Sequence, residues 1–163
     1  MAGAVSEGPI IRPATRADIP EMCRVLVRSI TELCATDHNN DPKHLASWTE
    51  NKTPEGLSAW FDNPNFEMSL SLAGDKIAAV GGFSISGRID LLYVDPDARA
   101  GGHSASLLHA MERELAQRGV TVAELTSTNT ALAFYKKHGW NVVGDPIACH
   151  TVSGHPLQKN LAH

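Results

Sequence analysis

The residues best suited to chemistry gather in one stretch, "LLYVDPDARAGGHSASLLHAMERELAQRG", residues 91–119. An apolar run meets a proline, an arginine and paired glycines, then becomes an amphipathic helix. A strand that enters a helix through such a turn leaves several backbone N–H groups without acceptors at the helix start. Those donors and the helix dipole favour an anion, most usefully a phosphate or pyrophosphate. Gly101 and Gly102 let a ligand approach the main chain with no Cβ in the way, and Arg99 adds a full positive charge with forked donors. An ordinary strand-to-helix turn with a surface arginine has the same local composition, because an isolated Gly-rich loop is a weak signal. Two nucleotide-binding loops are excluded: the chain has no G-x-G-x-x-G run and no Gly-Lys-Ser/Thr step. His38 and His44, with Asp37 and Asp41, match no strong metal-ligand spacing, so no metal is expected.

The elements that must position these residues fit within one compact domain. The chain has 163 residues, 42% of them hydrophobic and 20% charged, enough for a sizeable core. Net charge is -4 with no dense Lys/Arg block, which argues against nucleic-acid or anionic-membrane partners. No uninterrupted apolar span is long enough for a transmembrane helix. The start "MAGAVSEGPI" has no basic-then-apolar order of a signal peptide and reads as a flexible leader over residues 1–9 of a single domain, 1–163. Cys23, Cys34 and Cys149 are odd in number with no close pair, which fits a reduced, cytoplasmic protein.

"IIRPAT" reads as a first strand. Asp18 then caps a helix running to about Ala35, with Glu21 at the capping-box position and Met22, Val25, Leu26, Ile30 and Leu33 at helical spacing. A polar break, "DHNNDP", leads to short helices capped at Asp41 and Thr53, each followed by proline. From Phe66 the period changes to alternation, and turns at "AGDK" and "SG" make a three-strand antiparallel meander ending in Arg88 to Val94. The helix after the glycines carries Leu107, Leu108, Met111 and Leu115 and stops at Gly119. A strand "VTVAELTS", a short helix "TALAFYKKHG", a strand "WNVVG" and a last strand kinked at Gly154 and Pro156 complete an α/β domain with a mixed sheet.

Two segments carry a more specific signal. "LYVDPDARAGGHSASLL" resembles the acyl-CoA-binding signature of the GNAT superfamily of N-acetyltransferases, a Val-x-Pro approach followed by Arg/Gln-x-x-Gly-x-Gly/Ala. Val94 and Pro96 fill the approach, and Arg99, Gly102 and Ser104 fill the loop. Ala98 stands where an aromatic residue is common, and Ser104 replaces the final Gly or Ala. "TSTNTALAFYKKHGW" is similar to the family's Ala-x-x-Phe-Tyr-x-x-x-Gly-Phe block, matched by Ala131, Phe134, Tyr135, Gly139 and Trp140. The order of elements also matches, from Ile10 to Ala162.

The resemblance implies the GNAT acyl-CoA N-acyltransferase fold: a mixed, mostly antiparallel central sheet flanked by helices, with a V-shaped opening between strands 4 and 5. It implies acetyl-CoA as co-substrate. Backbone groups of Leu92, Tyr93 and Val94 would hold the pantetheine arm and polarise the thioester carbonyl. The loop Arg99, Ala100, Gly101, Gly102, His103, Ser104 and Ala105 would hold the pyrophosphate, with the His103 side chain packing or touching phosphate. Thr128 or Asn129 would contact the arm, beside Phe134. Tyr135 takes the position whose hydroxyl protonates the departing thiolate, which its ordinary pKa of about 10 suits. Asp90 takes an acidic position on the fourth strand, amid apolar neighbours, and accepts the amine proton directly or through water. Acceptors would enter opposite the cofactor, where Asp37 and His38 could bind or deprotonate an amine and Trp48 form an apolar wall. Cys34, Asp37 and His38 match the Cys-x-x-Asp-Tyr run of small stand-alone bacterial-type members, with His for Tyr.

The implied activity is transfer of an acetyl group to a primary amine of a small molecule by direct attack; passage through Cys34 or Cys149 is the ping-pong alternative. A non-catalytic acyl-CoA sensor and an acetyltransferase of a protein N-terminus or lysine are the other readings, and Tyr135 favours an enzyme over a sensor. Relatives in the family are often dimers, so the resemblance allows a homodimer, while the sequence does not fix the oligomeric state.

Overall fold

The computed structural model describes residues 8–149 and 152–161, so the expected leader lies outside the described residues except for its last two positions. In chain order the elements are β1 (Ile10–Pro13), α1 (Ile19–Leu33), α2 (Ala35–His38), α3 (Pro42–Thr49), α4 (Pro54–Asp62), β2 (Phe66–Ala73), β3 (Lys76–Ser84) and β4 (Arg88–Val94). They continue as α5 (His103–Gln117), β5 (Val122–Ser127), α6 (Leu132–Lys137), β6 (Asn141–Val142), β7 (Ile147–Cys149) and β8 (Val152–Asn160). One sheet runs in the order β1-β2-β3-β4-β5-β8-β6, and β7 pairs with the first residues of β8. Every neighbouring pair is antiparallel except β4 and β5, which are parallel.

Each face of the sheet is closed by one amphipathic helix. α1 lays Met22, Val25 and Leu26 on Met68, Leu70, Val80 and Leu91, with Leu57 of α4 beside them. α5 lays Leu107, Leu108, Met111 and Leu115 on Ala79, Phe83, Ile89, Leu125 and Leu157. The hydrophobic stripes at helical spacing therefore meet strand faces at spacing two, the pairing that buries both. Trp140 is fully buried in the α5 layer, its indole donating to Glu112 (3.1 Å), which also receives the Lys159 ammonium (2.7 Å).

Three local expectations are corrected. Asp18 does not cap α1; its carboxylate receives the Thr15 N–H (2.8 Å) and the Arg12 guanidinium (2.8 and 2.9 Å), so the helical start begins one turn earlier at Thr15. Glu21 reaches across to the Ile77 N–H of β3 (2.8 Å) instead of back to the cap. The tail makes a hairpin of two strands, not one kinked strand, and β8 passes through Gly154 and Pro156 unbroken. Pro156 lacks only a donor: its carbonyl still accepts from Val143 (2.9 Å), so the strand loses little there. The caps at Asp41 and Thr53 form, accepting from Lys43 (2.8 Å) and Gly56 (3.1 Å).

Hydrogen bonding from Arg12, and then from Thr15, holds the Asp18 carboxyl down at about 2 against burial. Because the folded value is depressed, Asp18 stabilises the fold fully above about pH 4 and loses that contribution as pH falls towards 2. Asp18→Asn should lower stability at pH 7 by about 1 kcal/mol, allowing for solvent screening at Arg12. Its acid unfolding curve, followed by circular dichroism, should be shallower than wild type between about pH 4 and pH 2.

Candidate active site

The site begins where the sheet comes apart. β4 and β5 pair only at Arg88 with Glu124 and Ile89 with Leu125. On its other side β4 stays paired with β3 up to Val94, but the register shifts between Gly82 and Phe83, which leaves Asp90 as an extra residue between Ile89 and Leu91. Such a bulge bends the strand and raises its twist, so Leu91 to Val94 turn away while β5 continues straight along β8. The gap is a cleft with two lobes, both bordered by Ile89 to Leu91, Tyr93 and Thr126 to Thr128.

The smaller lobe, about 150 Å³, runs along Leu92 and Val94 to Ser104, Ala131, Phe134 and Tyr135. The larger lobe, about 390 Å³, opens on the side of α3 and α4 between Trp48, Trp60, Phe66, Arg88 and Asp90. Tyr93 and Thr128 border both. The Thr128 hydroxyl accepts from the Ala131 N–H (3.1 Å) at the start of α6, whereas the Asn129 side chain turns aside to His155 (2.5 Å).

Tyr135 is only 6% exposed, in edge-to-face contact with the rings of Phe134 and Trp140. Burial, and secondarily the charge of an ionised Tyr93, push its phenol well above the ordinary tyrosine range, so it keeps its proton. Asp90 has a contrasting setting: its carboxylate is partly open to solvent and accepts from Ser84 Oγ (2.8 Å) and Arg88 Nε (3.1 Å). The sequence placed Asp90 amid apolar neighbours; the bulge instead lifts it into a polar corner. Arg88 also donates to Thr126 Oγ1 on β5 (2.7 Å), so it bridges the two strands at the point where they part.

The glycine-rich turn is built from both sides. The buried Asp95 accepts from Arg24 (3.1 Å) and Arg28 (3.3 Å) of α1 and from the Asp97 N–H (2.9 Å). Gly102 has φ +75° with open space beside it, and α5 starts from it, the first helical bond running from Ser106 N–H to the Gly102 carbonyl (3.1 Å). The N–H groups of residues 103–105 precede that bond and have no helical acceptor. Arg99 is exposed at the rim. These features fit a phosphate group: unpaired donors, a left-handed glycine and a cation. The His103 ring does not join them. It turns inward, buried, with Nδ1 2.7 Å from Ser71 Oγ, and burial lowers its pKa so that it stays neutral. That ring also explains Gly101, since a Cβ there would lie 2.7 Å from its Cδ2.

The two residues expected to meet an amine have other partners. Asp37 is buried and accepts from the Asn129 N–H (2.6 Å), the Thr130 N–H (3.1 Å) and the Thr130 hydroxyl (2.5 Å), pinning the loop between β5 and α6. His38 is fully buried, one ring nitrogen 2.8 Å from the Ile30 carbonyl and the other accepting from the Asn40 N–H (2.9 Å). Both contacts hold α2, a turn of helix that no periodicity announces. Trp48 borders the larger lobe and donates from Nε1 to the Tyr93 hydroxyl (3.1 Å). Cys34 is buried at the smaller lobe and its thiol is pushed up to about 12 by burial, then by Asp37, so it holds its proton. No group of three His, Cys, Asp or Glu side chains among the described residues is arranged to hold a metal, and no helix there is long and apolar enough to cross a membrane.

A family model for the acetyltransferase (GNAT) domain matches residues 34–161. The chain belongs to the GNAT acetyltransferases. No curated protein sequence matches it, but solved structures share its fold at low identity. A GCN5-related N-acetyltransferase from Rhodopseudomonas palustris is 18% identical over 98% of this chain and 99% of its own, with a TM-score of 0.84. PaiA N-acetyltransferase from Thermoplasma acidophilum, solved with coenzyme A, is 17% identical over 94% and 99%, with a TM-score of 0.80. Aminoglycoside 6'-N-acetyltransferase from Enterococcus faecium is 15% identical over 94% and 98%, with a TM-score of 0.71. The parting of β4 and β5 in this GNAT domain is the V-shaped opening that the sequence resemblance implied.

Several residues around the cleft escaped the sequence reading: Lys52, Trp60, Phe66, Ser84, Arg88 and Thr126. Only Arg88 carried a signal, two residues before Asp90 on one strand. A first test concerns the turn. Gly101→Ala should displace the His103 ring from Ser71 into water. An NMR titration of that imidazole should then show its pKa rising from its depressed value towards the ordinary value of about 6.5.

Proposed function

We propose that this GNAT domain transfers an acetyl group from acetyl-CoA to the primary amine of a small molecule by direct attack. The observation that carries the reading is the two-lobed cleft at the β4–β5 gap, with a protonated Tyr135 in the wall of the smaller lobe and Asp90 on the border that the two lobes share. Acetyl-CoA supplies the activated acyl group as a thioester. The smaller lobe, with the β4 edge from Leu92 to Val94, suits a narrow pantetheine arm, and its far end at Ser104 leads to the donors of the α5 start. Thr128 faces that lobe more directly than Asn129 does.

In this reading the amine nitrogen bonds to the acyl carbon as the carbon–sulfur bond breaks. The sulfur leaves with the electron pair and takes the Tyr135 proton. The proton lost by the amine goes to Asp90 or through water beside it, and Tyr135 regains its own from solvent as products leave. Burial serves this role, since a phenol kept neutral at high pH remains a donor. The high thiol pKa of Cys34 supports direct attack over a covalent relay through that residue.

Tyr135→Phe should reduce kcat about 10²- to 10⁴-fold, the usual range for one general acid, with coenzyme A affinity kept. The assay is release of coenzyme A with a panel of amines, beside calorimetric titration of the cofactor. Tight acetyl-CoA binding without transfer to any amine would leave a binding module and no enzyme. Arg99→Ala should weaken coenzyme A binding about tenfold, roughly 1.4 kcal/mol, and leave pantetheine binding unchanged. Equal affinity for coenzyme A in both proteins would remove Arg99 from the phosphate site.

A further inference from the structure

Arg88 stands where the two strands part. It opens the short parallel ladder opposite Glu124, and Ile89 opposite Leu125 ends it. Thr126 is the next residue of β5, and Arg88 Nη2 donates to its hydroxyl (2.7 Å) where backbone pairing has stopped. The same guanidinium donates from Nε to Asp90 Oδ1 (3.1 Å), while Nη1 lies 3.6 Å from the exposed Glu124 carboxylate. Asp90 Oδ2 accepts from Ser84 Oγ of β3 (2.8 Å). One planar fork thus joins side chains of both strands, a geometry that a lysine ammonium does not reproduce.

Asp90 needs such a hold. It is the extra residue of the bulge, so no β3 residue stands opposite it, and its side chain is about a third exposed. Donors on both oxygens select one rotamer for a carboxylate that would otherwise sample several. Each oxygen keeps a further lone pair for an ammonium. We propose that Arg88 is a positioning residue: anchored to β5 through Thr126, it aims the Asp90 carboxylate at the ammonium of the acceptor. This rests on the acetyl-transfer reading above and adds a residue to it. Arg88 exchanges no proton and acts through Asp90. The backbone pairs of the ladder keep the cleft in shape without its side chain.

A double-mutant cycle tests this in the full-length protein: wild type, Arg88→Ala, Asp90→Asn and the two combined. Phenethylamine, spermidine and kanamycin are the acceptors. Coenzyme A release from acetyl-CoA is measured, and each amine is titrated calorimetrically into the protein–coenzyme A complex. Arg88→Ala should lower kcat/KM and affinity for the best amine about ten- to a hundredfold, with coenzyme A affinity within about twofold of wild type. In the Asp90→Asn background the same substitution should cost less than about twofold, because its partner is already gone. Arg88→Lys, which keeps the charge and loses the fork, should recover only part of the loss. Should Arg88→Ala fail to fold, Thr126→Val removes the β5 anchor at nearly constant shape and should cost about threefold in the same measurements. Amine binding that follows this cycle without transfer would uphold the positioning role and defeat the transfer reading. Losses that add across the cycle would overturn the role and leave acetyl transfer standing, as would an equal fall in coenzyme A affinity, the mark of a clamp on the sheet alone. No loss in a folded Arg88→Ala protein would overturn it too, as would three amines that neither bind nor react at millimolar concentration.

Discussion

The site depends on how far two neighbouring strands stay paired. β5 is committed along most of its length to β8, its antiparallel neighbour, whereas β4 is committed to β3 and carries one residue too many at Asp90. The bulge twists β4 out of line with its other neighbour, and the parallel ladder of β4 with β5 ends after two residues. The sheet is thereby opened from within, with no loop or domain boundary needed. The same extra residue at the bend, Asp90, also borders both lobes of the cleft. Opening and chemistry have one local cause.

An open sheet leaves flanking turns in need of support, and buried carboxylates supply it. Asp95 ties the β4–α5 turn to two arginines of α1, and Asp37 ties the β5–α6 loop to α2. Neither carboxylate lies isolated: each accepts at least one backbone N–H and one further donor, the condition under which a buried charge is tolerated. The two anchors stand on opposite banks of the cleft.

Environment then sets the ionisable side chains of the cleft apart. Tyr135 lies deep against Phe134 and Trp140 and is held neutral by its surroundings, while Asp90 faces solvent beside a guanidinium. His103 shows the opposite outcome: drawn inward by Ser71, it becomes packing under the turn and leaves the anion-facing surface to backbone donors.

The chain's local patterns were enough for much of this. The helical stripes of α1 and α5, the alternation of the meander and the proline-marked caps announced the elements, because apolar periodicity and capping are written within a few residues. The family likeness of "LYVDPDARAGGHSASLL" and "AFYKKHGW" pointed to the cradle and to Tyr135. What stayed hidden depends on distant partners. Asp37 and His38 look like surface polar residues in "CATDHNN", but Asp37 is buried against the loop at Asn129 and Thr130, and His38 against Ile30 and the Trp48 ring. Asp18 reads as a helix cap until Arg12 claims it. Lys52, Trp60 and Phe66 gain a common cavity only when α3 and α4 pack beside the parted strands. By itself the sequence determined the elements and the residues able to do chemistry, since those follow from neighbours along the chain. Only the tertiary structure decided which of them face the cleft and which hold its walls, since burial and hydrogen-bond partners are set by residues far away in sequence.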